Sequence, residues 1–192
     1  MKTLCSALLA GTLLLASNGL AADKTVKTDP GHMDPYVQGP QNEAKLVQEI
    51  RHQLVMLPYF GVFDDLGFTV DPGGKVTLLG QVTQPVLKTD AGKVVQKVEG
   101  VTAVVNNVEV LPLSGMDDGI RRSVYRAIYG DPALSTRYGF RALPSIHIIV
   151  KNGNVRLEGV VANEADRNIA FIRANGVSGV FKVENELRIE GK

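Results

Sequence analysis

The chain has 192 residues, with 21 Lys and Arg against 20 Asp and Glu and a formal net charge of +1. A charge so balanced does not draw a protein to nucleic acid, which is excluded as an expected partner. One cysteine and three histidines leave little material for a disulfide framework or a metal centre.

The first predicted element is a targeting segment. Lys2 supplies a positive start, Leu4 to Ala16 is an uncharged apolar run, and Gly19 and Ala21 take the −3 and −1 positions of a cleavage site. This pattern predicts a secretory signal peptide over residues 1–21, short for a membrane-spanning helix. Cys5 lies inside it, and Asn18 stands where a lipoprotein would carry cysteine. The mature chain is therefore expected to have no disulfide, no lipid anchor and, with Lys2 gone, no net charge. No later apolar run is long enough to span a bilayer. Residues 22–42, with Pro30, Gly31, Pro35, Gly39 and Pro40, show no helical or strand period and read as a flexible polar lead. His32 sits there beside Asp29 and Asp34 and is expected to be exposed and metal-free.

The rest of the chain is an internal repeat. Gly74, Val76, Leu78, Gly80 and Val82 recur as Gly153, Val155, Leu157, Gly159 and Val161. At the same offset, Gly100-Val101 meets Gly179-Val180 and Asn106 meets Asn185. In chain order each copy starts with a helix whose apolar residues fall four apart: Leu46, Ile50 and Leu54, then Ile120, Val124 and Ile128. Asp117 or Asp118 is expected to cap the second of these. A strand follows, Phe68 to Val70 or Ile146 to Val150, then a glycine turn and an alternating strand. Gly80 interrupts that strand's row of side chains, where a close helix is expected. The second helix presents Leu87, Ala91, Val94, Val95 and Val98 in the first copy. In the second it is capped by Asn163 and presents Ala165, Ile169 and Ile172. Gly92 is expected to weaken the first of these helices. The last strand carries Val104, Val108 and Val110, or Val183, Leu187 and Ile189. The predicted fold class is α+β: two tandem small αββαβ domains, residues 43–112 and 117–191, each a three-stranded sheet packed on two helices.

This skeleton resembles the BON domain. The resemblance is carried by Asn152-Gly153-Asn154-Val155-Arg156-Leu157-Glu158-Gly159-Val160-Val161, Gly176-Val177-Ser178-Gly179-Val180 and Val183-Glu184-Asn185-Glu186-Leu187. The first copy keeps its glycines and valines, with Pro72 and one extra residue in the hairpin turn. The resemblance, which extends to osmotically inducible periplasmic proteins with paired BON domains, implies a module associated with phospholipid surfaces and envelope integrity. It implies no catalytic residues.

Two features stand out beyond the skeleton. Residues 43–112 carry six basic and eight acidic side chains, residues 117–192 twelve and nine. Arg121, Arg122, Arg126, Arg137 and Arg141 cluster in the second copy, a pattern suited to anionic headgroups. On the helix, Arg121 and Arg122 are expected to point away from the apolar stripe. The connection Leu57 to Phe63 carries Tyr59, Phe60 and Phe63, which either fold back as core or form an apolar contact. His52, His147 and the acid pairs Asp64-Asp65 and Asp117-Asp118 lack the spacing of a metal site or of opposed catalytic carboxylates. The reading is a non-enzymatic, exported periplasmic protein without cofactor or metal. It contacts anionic phospholipid through the second domain, with envelope proteins as the other partner class. The alternative is a protein-binding adaptor or chaperone using open sheet faces or edges.

Overall fold

The computed structural model describes residues 40–141 and 143–191. The predicted signal peptide and the polar lead before residue 40 lie outside the described residues. Helix α1 runs Pro40–Val55 and takes Pro40 into its first turn, where a missing N–H breaks no helical bond. Strands β1 (Asp65–Asp71) and β2 (Lys75–Val82) form an antiparallel hairpin with Phe68 opposite Leu78. Helix α2 (Pro85–Gln96) leads to β3 (Ala103–Asn106) and β4 (Glu109–Val110), both parallel to β2.

The second copy repeats the order. It comprises α3 (Gly115–Tyr129), β5 (Ile146–Lys151), β6 (Asn154–Val161), α5 (Glu164–Asn175), β7 (Lys182–Asn185) and β8 (Arg188–Ile189). It adds α4 (Pro132–Leu134), which continues as a π-helical turn over Ser135–Gly139. The predicted closing strand is thus two pieces in each copy. Lys75 pairs with Ala103 and Gln81 with Glu109, so both pieces keep one register on β2. Between them the Asn106 side chain accepts the Val108 N–H at 3.2 Å and bends the chain out of the ladder.

Each copy has its own core. Leu46, Ile50, Leu54, Val76, Leu78, Val82, Leu87, Ala91 and Val95 are buried in the first, as their periodicity requires. Ile120, Val124, Ile128, Ile146, Ile148, Val155, Leu157 and Val161 fill the second.

Three local expectations change. On α5 the buried row is Asp166, Ala170 and Ala174, while Ala165 is exposed and Ile172 is 65% exposed. The helix turns its small residues inward, and Ile169 packs only at the edge of the core. Ser114, not Asp117 or Asp118, caps α3, accepting the Asp117 N–H at 3.2 Å. Asp117 is instead buried and receives the Asn152 and Gly153 N–H groups at 2.9 and 2.8 Å, clamping the β5–β6 turn. At Gly80 and Gly159, with φ +117° and +121°, the close neighbour is the adjoining strand and not a helix. A Cβ there would overlap the carbonyl oxygens of Asp65 and Ser145. Gly92 does not break α2; it leaves room for the Asn106 amide, which donates to the Lys88 carbonyl at 2.7 Å.

The faces of the sheets away from the helices meet across the two copies. Lys151 of β5 donates to Glu109 at 2.6 Å, and Arg156 of β6 lies 3.8 Å from Asp65. His147 stacks on Phe60 with centroids 5.6 Å apart. Ile149, on the same face as His147 and Lys151, is 2% exposed although it belongs to neither core. The outer edge of β5 is closed as well. The Tyr129 hydroxyl donates to the Ile146 carbonyl, the Val62 carbonyl accepts the Ile148 N–H at 2.8 Å, and Arg121 donates to the Val150 carbonyl. An edge so occupied offers no ladder to an incoming strand.

Candidate functional site

The connection from α1 to β1 determines how the copies join. Leu57 is buried in the first core and Phe60 packs against it, whereas Val62 and Phe63 pack against the second core. Tyr59, between them, is 72% exposed in a left-handed conformation at φ 69°. The connection therefore neither folds wholly into its own core nor stands free. It spans the two modules, with Phe63 edge-on to Tyr125 of α3 at 6.1 Å and Tyr125 against Tyr129 at 4.9 Å.

Above this aromatic row lies an open groove of about 530 Å³. Phe60 to Phe63 form one wall. Arg122, Tyr125 and Arg126 of α3 face them, three and four positions apart and hence on one side of the helix. Arg141, Leu143 and Pro144, from the connection into β5, complete the lining. No carboxylate lines the groove, and none of these three arginines forms an ion pair among the described residues. The Arg126 guanidinium reaches only the Ser123 hydroxyl, at 3.5 Å.

The five arginines of the sequence cluster divide. Arg122, Arg126 and Arg141 are exposed and share the groove. Arg121 does not point away from the apolar stripe: it is 4% exposed, pairs with Asp118 and donates to the Val150 carbonyl at 2.7 Å. Its long stem lets the guanidinium turn toward the β5 edge, where a bare carbonyl needs a donor. Arg137 is bonded to buried Asp166 at 2.6 and 2.5 Å, and Tyr138 donates to the same carboxylate at 2.6 Å. That pairing raises the Arg137 pKa further, while burial pushes the Tyr138 phenol up. Arg121 and Arg137 hold the fold, while Arg122, Arg126 and Arg141 form no ion pair among the described residues.

Tyr125, Leu143 and Pro144 were not singled out from sequence. The i, i+3, i+4 spacing of Arg122, Tyr125 and Arg126 was the signal available for the first; the others are placed by tertiary contact alone. Among the described residues no group of three or more His, Cys, Asp or Glu could hold a metal ion, and no helix is long and apolar enough to cross a membrane.

A hairpin flanked by two helices and closed by a parallel strand, present twice with its own core each time, defines a tandem α+β module protein. The BON domain model matches residues 42–112 and 117–191, and the chain belongs to that family. BON domains are associated with proteins of the cell envelope. No curated protein matches the chain. Similar solved structures include two of the same protein. One is the C-terminal domain of CdsD, described as the structural protein of the type III secretion system of Chlamydia trachomatis. It is 13% identical, covers 80% of this chain and 99% of its own, and has a TM-score of 0.30. A second CdsD structure is 14% identical, covers 77% and 94%, and has a TM-score of 0.28.

Proposed function

We propose that this is a non-enzymatic, exported protein of the periplasm that binds anionic phospholipid surfaces at the groove between its two BON domains. The observation that carries the reading is the set Arg122, Arg126 and Arg141: three exposed arginines around one groove that no carboxylate of the described residues lines. Unpaired arginines attract phosphate oxygens bidentately, each basic contact at an anionic surface contributing about 1 kcal/mol. Phe63 and Tyr125 offer apolar and amphipathic surface beside them, as a headgroup with its glycerol requires. Export rests on the Lys2, Leu4–Ala16 and Ala21 pattern.

Vesicle co-sedimentation tests this. Wild type is expected to bind anionic vesicles and not neutral ones, with salt weakening the contact because exposed charges are screened beyond about 8 Å at physiological ionic strength. Arg122→Glu/Arg126→Glu/Arg141→Glu is expected to abolish binding, and Lys88→Glu/Lys93→Glu in the first copy to leave it intact. Equal binding by all three proteins, or none by wild type at low salt, refutes the proposal.

A further inference from the structure

The groove has one wall from each copy, so its shape depends on how the copies dock. The docking contact contains an unbalanced charge cluster. Asp65 of the first copy and Glu158 of the second share one cation within ion-pair distance, Arg156. Arg156 serves neither well. Its distance to Asp65 is 3.8 Å, too long for a hydrogen bond, and its Nε lies 2.9 Å from Glu158 without hydrogen-bond geometry. All three side chains are under one-third exposed, so water compensates only partly. From further off His147 adds attraction at Asp65, Arg188 adds it at both carboxylates, and Glu186 adds repulsion at Glu158. Next to Asp65 in sequence, Asp64 is already satisfied by the Thr83 N–H and hydroxyl and the Gly61 N–H.

We infer that the two BON domains dock through a proton-dependent clasp, in which Asp65 and Glu158 accept a proton as the copies close and so couple the groove to the acidity of its surroundings. Two carboxylates brought together in a half-buried crevice, with one cation divided between them and another only at longer range, cannot both stay charged without cost, and a proton removes that cost. The electrostatics agree. Burial first pushes the Asp65 carboxyl up, against the pull of Arg156; burial and then the Asp65 charge push Glu158 up. Raised carboxylates in the closed state mean that closure takes up protons. Docking therefore strengthens as pH falls into the raised range and weakens as pH rises through it. The neighbouring Lys151–Glu109 contact has the opposite sign. Its hydrogen bonds from Lys151 and then Gln81 hold Glu109 below the ordinary carboxylate range, so its contribution is lost only at more acid pH. The clasp accordingly strengthens at a pH above that at which the Glu109 contact is lost.

The coupling to ligand rests on the groove reading above, but docking is measured without lipid, so each can fail alone. In the Cys5→Ser chain, donor and acceptor dyes are placed on exposed positions of each copy, Lys97→Cys and Asn175→Cys. The urea midpoint for loss of energy transfer is read at pH 7.5 and pH 5, with far-UV circular dichroism alongside. The expected result is a higher midpoint at pH 5. Asp65→Asn/Glu158→Gln is expected to raise the midpoint at pH 7.5 and remove most of the pH shift; Glu158→Gln alone provides the comparison if the double variant folds poorly. A wild-type midpoint that stays fixed or falls at pH 5, or a full shift retained in the variants, overturns the inference.

Discussion

Arg121 and Arg122 are neighbours in sequence with opposite expected behaviour, and replacing each by Ala separates them. Arg121 donates to the Val150 carbonyl on the edge of β5 and is 4% exposed. Removing it leaves a buried carbonyl without its charged donor, a loss of about 1.5–3 kcal/mol. Its pair with Asp118 adds no more than about 1 kcal/mol, because Asp118 is half-exposed. Arg121→Ala should therefore destabilise the second copy by about 2–3 kcal/mol. For a domain of this size, each kcal/mol lowers Tm by about 4–8 °C, so the drop should be roughly 8–24 °C. Arg122→Ala removes an exposed side chain without an ion pair and should stay within about 0.5 kcal/mol of wild type. Thermal melts followed by circular dichroism read both. If Arg121→Ala melts with wild type, or Arg122→Ala falls as far, the division into structural and solvent-facing arginines is wrong.

Gly159→Val should cost about 3 kcal/mol or more in a urea titration, because the side chain must adopt φ +121° and overlap the Ser145 carbonyl. On α5, Ala170→Leu should destabilise by about 1–3 kcal/mol through overpacking, while Ile172→Ser should be nearly silent in the same melt. Asp166→Ala removes the acceptor shared by Arg137, Tyr138 and Asn163 and should cost about 3 kcal/mol, seen as a lower urea midpoint. Asp64→Ala releases the Thr83 and Gly61 groups and should loosen the connection that carries Phe63, read as faster amide exchange at Gly61 and Thr83.

The repeated skeleton could be read from sequence because it rests on local rules. Leu46, Ile50 and Leu54 repeat every four residues, Val76 and Leu78 alternate, and Asn163 precedes an acidic first turn. Each pattern has one physical solution, and the structure adopts it. The misread positions are those where distance in sequence decides. The orientation of Arg121 depends on a carbonyl at Val150, 29 residues away; the ion pair of Arg137, on which the sequence is silent, depends on Asp166 at the same separation. Hydrophobicity favoured Ile172 over Ala170 on α5, but the inward-facing row there is built from small residues. The groove could not be read at all, since neither copy contains it alone.

Its location follows from how the repeat diverges. The step from Leu46 to Ile120 is 74 positions, from Leu66 to Ile146 it is 80, and from Gly80 to Gly159 it is 79. The added residues therefore fall between the leading helix and the first strand of the second copy, where α4, the π-helical turn and Arg141 lie. The matching connection in the first copy is the short aromatic one, Leu57 to Phe63. Both connections reach the same groove, one bringing apolar rings and the other an arginine. The regular parts of a duplicated module are held by their cores and cannot vary far without loss of packing. The helix-to-strand connection can change length at little cost in stability, because loop closure depends weakly on length. The groove between the two cores is thus lined by both connections together with Arg122, Tyr125 and Arg126 of α3, and under the proposed function its specificity would arise from the docked pair. The first copy alone would present only the wall from Phe60 to Phe63, and the second only the arginines with Tyr125; the docked pair presents both.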